Sequence, residues 1–193
     1  QDWVNVFEKM LILHADHTMN NSTFSARAVG SAQASIYSSI STAINSLSGP
    51  LHGGANERVI LMLQEINSPE KVEEYVDDKL NRGEKIMGIG HRVYKTYDPR
   101  ALYIKEKILP LIFGENAVLG EVDPELMRLY DVAKKLEQVA IDRLSCKNLY
   151  PNVDFWSGLV YRAMDIEPPF FTTIFSLGRV MGWCAHWVEH MEV

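Results

Sequence analysis

Histidines stand at glycine- and proline-rich breaks in this sequence, where side chains that carry chemistry are often placed. His52 lies within Gly49-Pro50-Leu51-His52-Gly53-Gly54, and His91 follows Gly88-Ile89-Gly90. A neutral imidazole near a helix N-terminus is a hydrogen-bond donor, because the helix dipole disfavours the imidazolium. His52, just before a predicted helix start at Gly54, is therefore a candidate hydrogen-bond donor to a ligand, whereas His91 is a glycine-flanked histidine in a segment that leads to Arg100. Each motif alone also fits a tight turn or a solvated loop.

Two arginines and one aspartate complete the set of candidates. Arg100 falls in the first turn of a predicted helix that Asp98 caps, where a guanidinium suits a carboxylate-bearing ligand. Arg179 lies on a long apolar helix and needs an anionic partner, either a substrate carboxylate or a structural Asp or Glu. Asp154 stands among aromatic residues at a helix start. Partial burial there would raise its pKa and strengthen it as a base, although a plain N-cap is the simpler interpretation.

A metal site is the weaker alternative. His14 and His17, with Asp16 between them, have a spacing that could bind a metal if a third ligand joined them. Histidines bonded to backbone or carboxylate groups explain the same residues, and we predict no metal. Cys146 and Cys184 lie too far apart for metal-ligand spacing and fit a reducing compartment.

The elements that must position these side chains are helices. Apolar residues recur with helical spacing, and segments of alternating polarity are almost absent. Helices are predicted over 25–48, 54–66 and 170–190, and the pairs Asp98-Pro99 and Asp123-Pro124 mark two further helix starts. The sequence therefore predicts an all-α protein.

Composition excludes several classes of protein. The chain has 193 residues, of which 47% are hydrophobic and 23% charged, with a net charge of −6. This acidic balance, without a run of Lys and Arg, argues against a nucleic-acid or membrane-surface protein. No apolar stretch is long enough for a transmembrane helix, so we expect no membrane partner.

Taken together, the motifs resemble those of the citrate synthase family, in the family's order and approximate spacing. The resemblance rests on His14-Ala15-Asp16-His17, Gly49 to Asn56, Gly88 to Arg100, Pro151 to Gly158 and Phe175 to Gly182. It extends across essentially the whole chain.

The resemblance implies a multi-helical fold with a large and a small domain. Residues 1–53 and 166–193 would belong to the large helical domain, and residues 54–165 would form the small one. Family members are about twice as long and assemble as homodimers or hexamers. The chain therefore looks like the C-terminal portion of a bacterial-type member, without the N-terminal half and the last segment, and such a fragment is expected to lack activity on its own.

The implied activity is the condensation of acetyl-CoA with oxaloacetate to give citrate and CoA, as in the tricarboxylic acid cycle. Asp154 would remove a proton from the acetyl methyl group, His52 would hydrogen-bond the thioester oxygen, and His91 would polarise the ketone. Acetyl-CoA would be a co-substrate, and no tightly bound cofactor is expected.

Substrate binding is also implied by the resemblance. His17, Arg100 and Arg179 would hold oxaloacetate. The residues implied to lie along CoA are Ile86, Met87, Gly88, Gly90 and Lys95. The residues that follow His91 are similar to those of bacterial members of the family, which implies a cytoplasmic location.

Other activities stay open at this point. A 2-methylcitrate synthase would use propionyl-CoA, and one extra methylene changes binding by only about 1–3 kcal/mol. A citrate-cleaving relative has the same fold. A helical assembly module without catalysis and a metal-dependent hydrolase are alternatives of different classes.

Overall fold

Helices account for nearly all regular structure in the part of the chain that is described. The computed structural model describes residues 2–49, 52–115 and 117–192. The α-helices are α1 Asp2–His14, α2 Asn21–Gly30, α3 Ile36–Leu47, α4 Ala55–Ile66, α5 Val72–Asn81, α6 Pro99–Tyr103, α7 Leu109–Phe113, α8 Pro124–Leu144, α9 Val153–Ala163 and α10 Phe171–Met191. Within those ranges, β-type pairing is limited to an isolated antiparallel bridge between Ile89 and Pro151. The prediction of an all-α fold is confirmed.

The predicted start signals mark real helix starts. Asp123 caps α8 by accepting the Glu125 N–H at 3.0 Å, and Asp98 caps α6 by accepting the Arg100 N–H at 2.9 Å. In each case a proline follows the cap, where its missing N–H removes no helical hydrogen bond. The last helix begins at Phe171, one residue after the predicted start.

The prediction of one helix over 25–48 is wrong, because the segment forms two helices. α2 ends at Gly30, and Gln33 has a left-handed backbone with φ of 57°. The Ser35 side chain then accepts the Ser38 N–H at 3.3 Å and starts α3. At an N-cap, the serine side chain accepts a backbone N–H that would donate to a backbone carbonyl oxygen in a continuous helix.

The chain divides into two compact units. Unit 1 consists of Gln1–Gly54 and Pro169–Val193, and unit 2 of Ala55–Pro168. The boundaries expected from the sequence fall at 53/54 and 165/166, and the assignment of these parts to a large and a small domain stays a prediction.

Unit 1 is built around α10, which packs against α1, α2 and α3. Two glycines allow this packing: a Cβ on Gly178 would lie 2.9 Å from the Leu11 carbonyl oxygen, and one on Gly182 would lie 2.3 Å from that of Ala15. The backbone of α1 and of the turn after it therefore comes directly against α10. The buried core here contains Ala26, Ala43, Leu47, Phe175 and Trp183.

Unit 2 is organised around α9, which packs on α4, α6 and α8. Phe155, Trp156 and Leu159 of α9 are fully buried. Gly158 lets α4 approach, since a Cβ there would lie 2.8 Å from the Ile60 side chain. Among the described residues, no helix is long and apolar enough to cross a membrane.

Candidate active site

His52 lies in the turn just before α4, and unit 1 holds it by one ring nitrogen. Its Nε2 lies 3.2 Å from the Ser22 backbone nitrogen and 2.8 Å from the Ser22 hydroxyl. Because a backbone N–H can only donate, Nε2 accepts, and the neutral ring carries its proton on Nδ1. Ser22 is itself placed at the start of α2, where Asn20 is the N-cap.

The surroundings of His52 keep the ring neutral. Burial, together with the positive charge of Arg179, lowers the pKa of His52 to about 4. The Phe175 ring packs edge-on to the imidazole, with 6.5 Å between ring centroids. His52 is therefore a neutral Nδ1–H donor at ordinary pH.

Arg179 is a buried cation that shares the surroundings of His52. Its side chain is only 1% exposed, and its Nε donates to the His14 carbonyl oxygen at 2.6 Å. The guanidinium carbon lies 4.9 Å from the centroid of the Phe175 ring, a cation–π distance. The Arg179 side chain is thus held rigidly on α10, which suits a guanidinium that receives a carboxylate.

The two histidines of the His14-to-His17 motif have different surroundings. His14 is fully buried, and its Nδ1 donates to the Met10 carbonyl oxygen at 2.7 Å within α1. His17 is partly exposed in the turn after α1. The neighbouring Asp16 lies 3.1 Å from His186 Nε2 on α10, which ties that turn to the helix. In residues 2–49, 52–115 and 117–192, no group of three or more His, Cys, Asp or Glu is placed to hold a metal ion.

His91 belongs to unit 2 and is held by its other ring nitrogen. Its Nδ1 lies 3.0 Å from the Val93 nitrogen and 3.1 Å from the Tyr94 nitrogen. Since both N–H groups donate, Nδ1 accepts, and the proton of the neutral ring is on Nε2. Burial and the charge of Arg100 lower the pKa of His91, with Asp98 acting in the opposite direction.

Asp98 is the central carboxylate of this second group, and the sequence identified it only as a helix cap. It is 1% exposed. Its oxygens accept the Arg100 guanidinium at 3.1 and 2.8 Å and the Val153 N–H at 3.2 Å. Burial acts to raise the pKa of Asp98, but hydrogen bonds and charge from Arg100 outweigh it, and the pKa is lowered. Asp98 therefore joins Arg100 to the first residue of α9.

Asp154 lies in the first turn of α9 and is not the N-cap. Asn152 is the cap, and its side-chain oxygen accepts the Asp154 N–H at 3.0 Å. The Asn152 amide group also donates to the Gly90 carbonyl at 2.8 Å, while its backbone N–H donates to that of Gly88 at 2.9 Å. These bonds hold the glycine loop before His91 against the start of α9.

The glycines of the loop predicted to lie along CoA have structural reasons to be glycine. Gly88 has φ of 74°, and a Cβ there would lie 2.9 Å from Val59 and 3.0 Å from Phe155. Gly90 has φ of 97° and faces Leu149. Ile86 is buried at 4% exposure, Met87 is partly exposed and Lys95 is exposed. Contact of these residues with CoA stays a prediction.

The predicted site residues thus fall into two groups. Unit 1 gathers His52 and Arg179 in one environment, with His17 in the turn after α1. Unit 2 places Arg100 beside His91 and connects it, through Asp98, to the helix that carries Asp154.

The chain is similar to known citrate synthases along its whole length. The family model described as "Citrate synthase, C-terminal domain" matches residues 1–193. A citrate synthase from Synechocystis sp. is 47% identical over 97% of this chain and 45% of the relative. A citrate synthase from Thermoplasma acidophilum, solved as a ternary complex with carboxymethyl coenzyme A and oxaloacetate, has a TM-score of 0.90 at 38% identity and covers 100% of this chain and 49% of that chain.

A citryl-CoA lyase is also similar in structure. Citryl-CoA lyase from Hydrogenobacter thermophilus has a TM-score of 0.75 at 27% identity, and the match covers 99% of this chain and 70% of that chain. The chain spans about half the length of the curated relatives it matches.

Proposed function

The chain belongs to the citrate synthase family, and we propose that the protein containing it condenses acetyl-CoA with oxaloacetate to give citrate and CoA. The proposal requires the residues of units 1 and 2 to act on one pair of substrates, as the family resemblance implies. Acetyl-CoA is then a co-substrate, and no resident cofactor takes part.

One observation carries this proposal: the two histidines are anchored by opposite ring nitrogens. His52 accepts at Nε2 and carries its proton on Nδ1, whereas His91 accepts at Nδ1 and carries its proton on Nε2. Both have lowered pKa values, so both are neutral donors near neutral pH. A condensation between a thioester and a ketone needs two such donors, because negative charge develops on both carbonyl oxygens.

In the first step, the Asp154 carboxylate takes a proton from the methyl group of acetyl-CoA. The electron pair moves toward the thioester oxygen, where the Nδ1–H of His52 stabilises the enol or enolate. A neutral imidazole suits this role, because its acidity as a hydrogen-bond donor is closer to the acidity of the enol than the acidity of an imidazolium is.

In the second step, the enol carbon attacks the ketone carbon of oxaloacetate. The Nε2–H of His91 stabilises the alkoxide that forms, and Arg100 and Arg179, with His17, hold the two carboxylates of the substrate. Water then hydrolyses the thioester of citryl-CoA to give citrate and the free thiol of CoA. The loop from Ile86 to Gly90 and Lys95 would lie along CoA.

Thiol release tests the proposed activity directly. The complete natural protein containing this chain is mixed with acetyl-CoA or propionyl-CoA and oxaloacetate, and the free thiol is followed by a thiol-reactive dye. Release from acetyl-CoA is expected. A preference for propionyl-CoA would instead assign 2-methylcitrate synthesis, and no release from either would rule out a condensing enzyme.

Asp154 is the residue on which turnover depends most. Replacement by alanine removes the base, so kcat is expected to fall by about 10²–10⁴-fold. Oxaloacetate affinity, measured by calorimetry, should change little, because the two arginines stay in place. The exposed Asp142→Ala variant, on α8, is the control and should keep wild-type turnover. Turnover retained by Asp154→Ala would remove the assigned base.

Cleavage of citryl-CoA is a second candidate activity, favoured by the likeness to the citryl-CoA lyase. It reverses the second step: the hydroxyl of citryl-CoA loses its proton, and the Nε2–H of His91 stabilises the alkoxide. The carbon–carbon bond then breaks to give the ketone of oxaloacetate and the enolate of acetyl-CoA, and Asp154 in its acid form returns a proton to the enolate carbon. Supplying citryl-CoA and measuring oxaloacetate separates the two, because a synthase hydrolyses the thioester and a lyase does not. A cytoplasmic location and a dimeric or hexameric assembly complete the proposal.

A further inference from the structure

Helix α8 carries a buried carboxylate that is not among the predicted site residues. Glu137 is only 6% exposed, although it stands in the middle of a long helix. Its Oε1 accepts the Tyr97 hydroxyl, and its Oε2 accepts the Lys105 ammonium at 2.6 Å. A buried carboxylate is costly unless both oxygens find donors, and Glu137 has one on each.

The hydrogen bonds continue from Tyr97 to the helix of the assigned base. The Tyr97 hydroxyl accepts the indole N–H of Trp156 on α9 at 2.9 Å while it donates to Glu137. Burial and the hydrogen bond to Glu137 raise the pKa of Tyr97, so the phenol keeps its proton. The donors and acceptors therefore run in one direction, from Trp156 through Tyr97 to Glu137. Such a network is stronger than its separate bonds.

These contacts bracket the groups assigned to oxaloacetate and to proton removal. Tyr97 directly precedes Asp98, and Lys105 follows Arg100 by little more than one helical turn. Trp156 lies two residues after Asp154 on the same helix. Both sides of the Arg100 segment and the start of α9 are thus attached to one carboxylate.

A leucine at position 137 would be cheaper to bury, but it would leave the Tyr97 hydroxyl without its acceptor. The charge is therefore better explained by the geometry it maintains than by stability. A guanidinium that binds a substrate carboxylate must be placed accurately, because a misplacement of about 1 Å reduces the catalytic rate by up to about 100-fold.

We propose that Glu137 is a positioning residue for this reaction: through Tyr97, Lys105 and Trp156 it sets the placement of Arg100 and Asp154. The inference rests on the proposed function. In this role Glu137 acts through its neighbours and not by contact with substrate, and its effect on oxaloacetate binding passes through the segment that contains Asp98.

Kinetics of Glu137→Gln in the complete natural protein test the proposal. Glutamine keeps the shape but removes the charge and one acceptor. We expect KM for oxaloacetate to rise and kcat to fall, each by about 10-fold, with KM for acetyl-CoA nearly unchanged. The control is Glu73→Gln on α5, which removes an exposed carboxylate. That carboxylate pairs with Lys135, which lies on α8 as Glu137 does. It should leave all three constants unchanged.

A double variant separates positioning from general stability. Tyr97→Phe deletes the hydroxyl that joins Glu137 to Trp156, so Glu137→Gln with Tyr97→Phe should be no worse than the poorer single variant. Effects that multiply would show that the two residues act independently, and would overturn the proposal. If Glu137→Gln does not fold, the double variant that combines Tyr97→Phe with Lys105→Met, at a partly exposed residue, replaces it. A rise in its KM for oxaloacetate would support the positioning role, and an unchanged KM would overturn it.

Amide hydrogen exchange gives a test that does not depend on activity. The Arg100 and Val153 N–H groups both donate to the Asp98 carboxylate, so they report on the placement of that segment. Both should exchange at least about 10-fold faster in Glu137→Gln and not in Glu73→Gln. If the wild type releases no thiol, the proposed function fails while exchange still decides the positioning role. Unchanged exchange together with unchanged KM for oxaloacetate would overturn it.

Discussion

His52 and His91 reach the same chemical state in two different ways. His52, in the turn before α4, is anchored by Ser22, which stands thirty positions earlier in the sequence at the start of α2. His91 is anchored by the backbone of Val93 and Tyr94, within its own loop. One histidine depends on packing between helices, whereas the other depends on a local turn.

The two arrangements also differ in what keeps the imidazole neutral. Burial dominates for both, but the second contribution comes from Arg179 for His52 and from Arg100 for His91. Asp98 offsets part of the effect of Arg100 on the pKa of His91, whereas no carboxylate in the described part of the chain offsets the effect of Arg179 on the pKa of His52. The pKa of His52 is therefore the more strongly lowered of the two. Substitutions at residues distant in sequence should change His52 more than His91.

Of the changes around the two histidines, removal of each ring should produce the largest effects and separate their two roles. His52→Ala and His91→Ala are each expected to lower kcat by about 10²–10³-fold, because each deletes one donor to a developing oxyanion. Calorimetry should show weaker oxaloacetate binding only for His91→Ala. His190→Ala, at the end of α10, is the control and should retain both activity and binding. Equal losses of oxaloacetate affinity in both variants would contradict the division of roles.

The carboxylate beside His91 should matter far more for stability than its sequence twin. Asp98 and Asp123 are both helix caps followed by proline, but Asp98 is buried and Asp123 is exposed. Asp98→Ala leaves the Arg100 guanidinium without its partner, and we expect a loss of about 3 kcal/mol. Asp123→Ala removes a cap alone, which costs about 1 kcal/mol. Urea unfolding of both variants measures the difference, and equal losses would show that Asp98 is only a cap.

Acid should weaken the protein through His52. Its pKa is about 4 when folded and 6.5 ordinarily, so between these pH values the unfolded chain binds a proton that the folded chain does not. The stability contributed by the neutral ring is complete above pH 6.5 and is lost as pH falls toward 4. Allowing for partial exposure, the loss is about 2 kcal/mol.

Urea unfolding at about pH 7 and about pH 4.5 checks this sign. The wild type should lose more stability on acidification than His52→Gln, which cannot gain that proton. The same decrease in both proteins would show that carboxylates alone cause the acid sensitivity.

The smallest effect is expected from the hydroxyl of Ser22. Ser22→Ala removes the contact to Nε2 and the acceptor of the Trp183 indole, but it keeps the backbone N–H that assigns the tautomer. We expect kcat to fall by about 5-fold and stability by about 1 kcal/mol. Ser35→Ala, which removes the cap of α3, should cost similar stability without changing kcat. A loss as large as that of His52→Ala would mean that the hydroxyl, and not the backbone, anchors the ring.

Local signals in the sequence predicted the helices well where one residue type had one physical role. Aspartate followed by proline began α6 and α8, since cap and ring geometry act within a single turn. The same reasoning failed between α2 and α3, because Ser35 can start a helix only if Gln33 turns the chain first. Many small residues over 25–48 gave no sign of that turn.

Residue types and their order along the chain were sufficient to identify the candidate groups, the all-α class and the family. Side-chain chemistry and the spacing between residues can both be read directly from the amino-acid sequence. Other features required the folded molecule. These are the ring nitrogen that each histidine presents, the attachment of Asp98 to both Arg100 and Val153, and the burial of Glu137. The partners of His52 and Glu137, and the Val153 N–H that Asp98 accepts, come from distant parts of the chain, whereas the nitrogen that His91 presents is decided by the conformation of its own loop. Hydrogen bonds a few ångströms long exist only once these segments have folded.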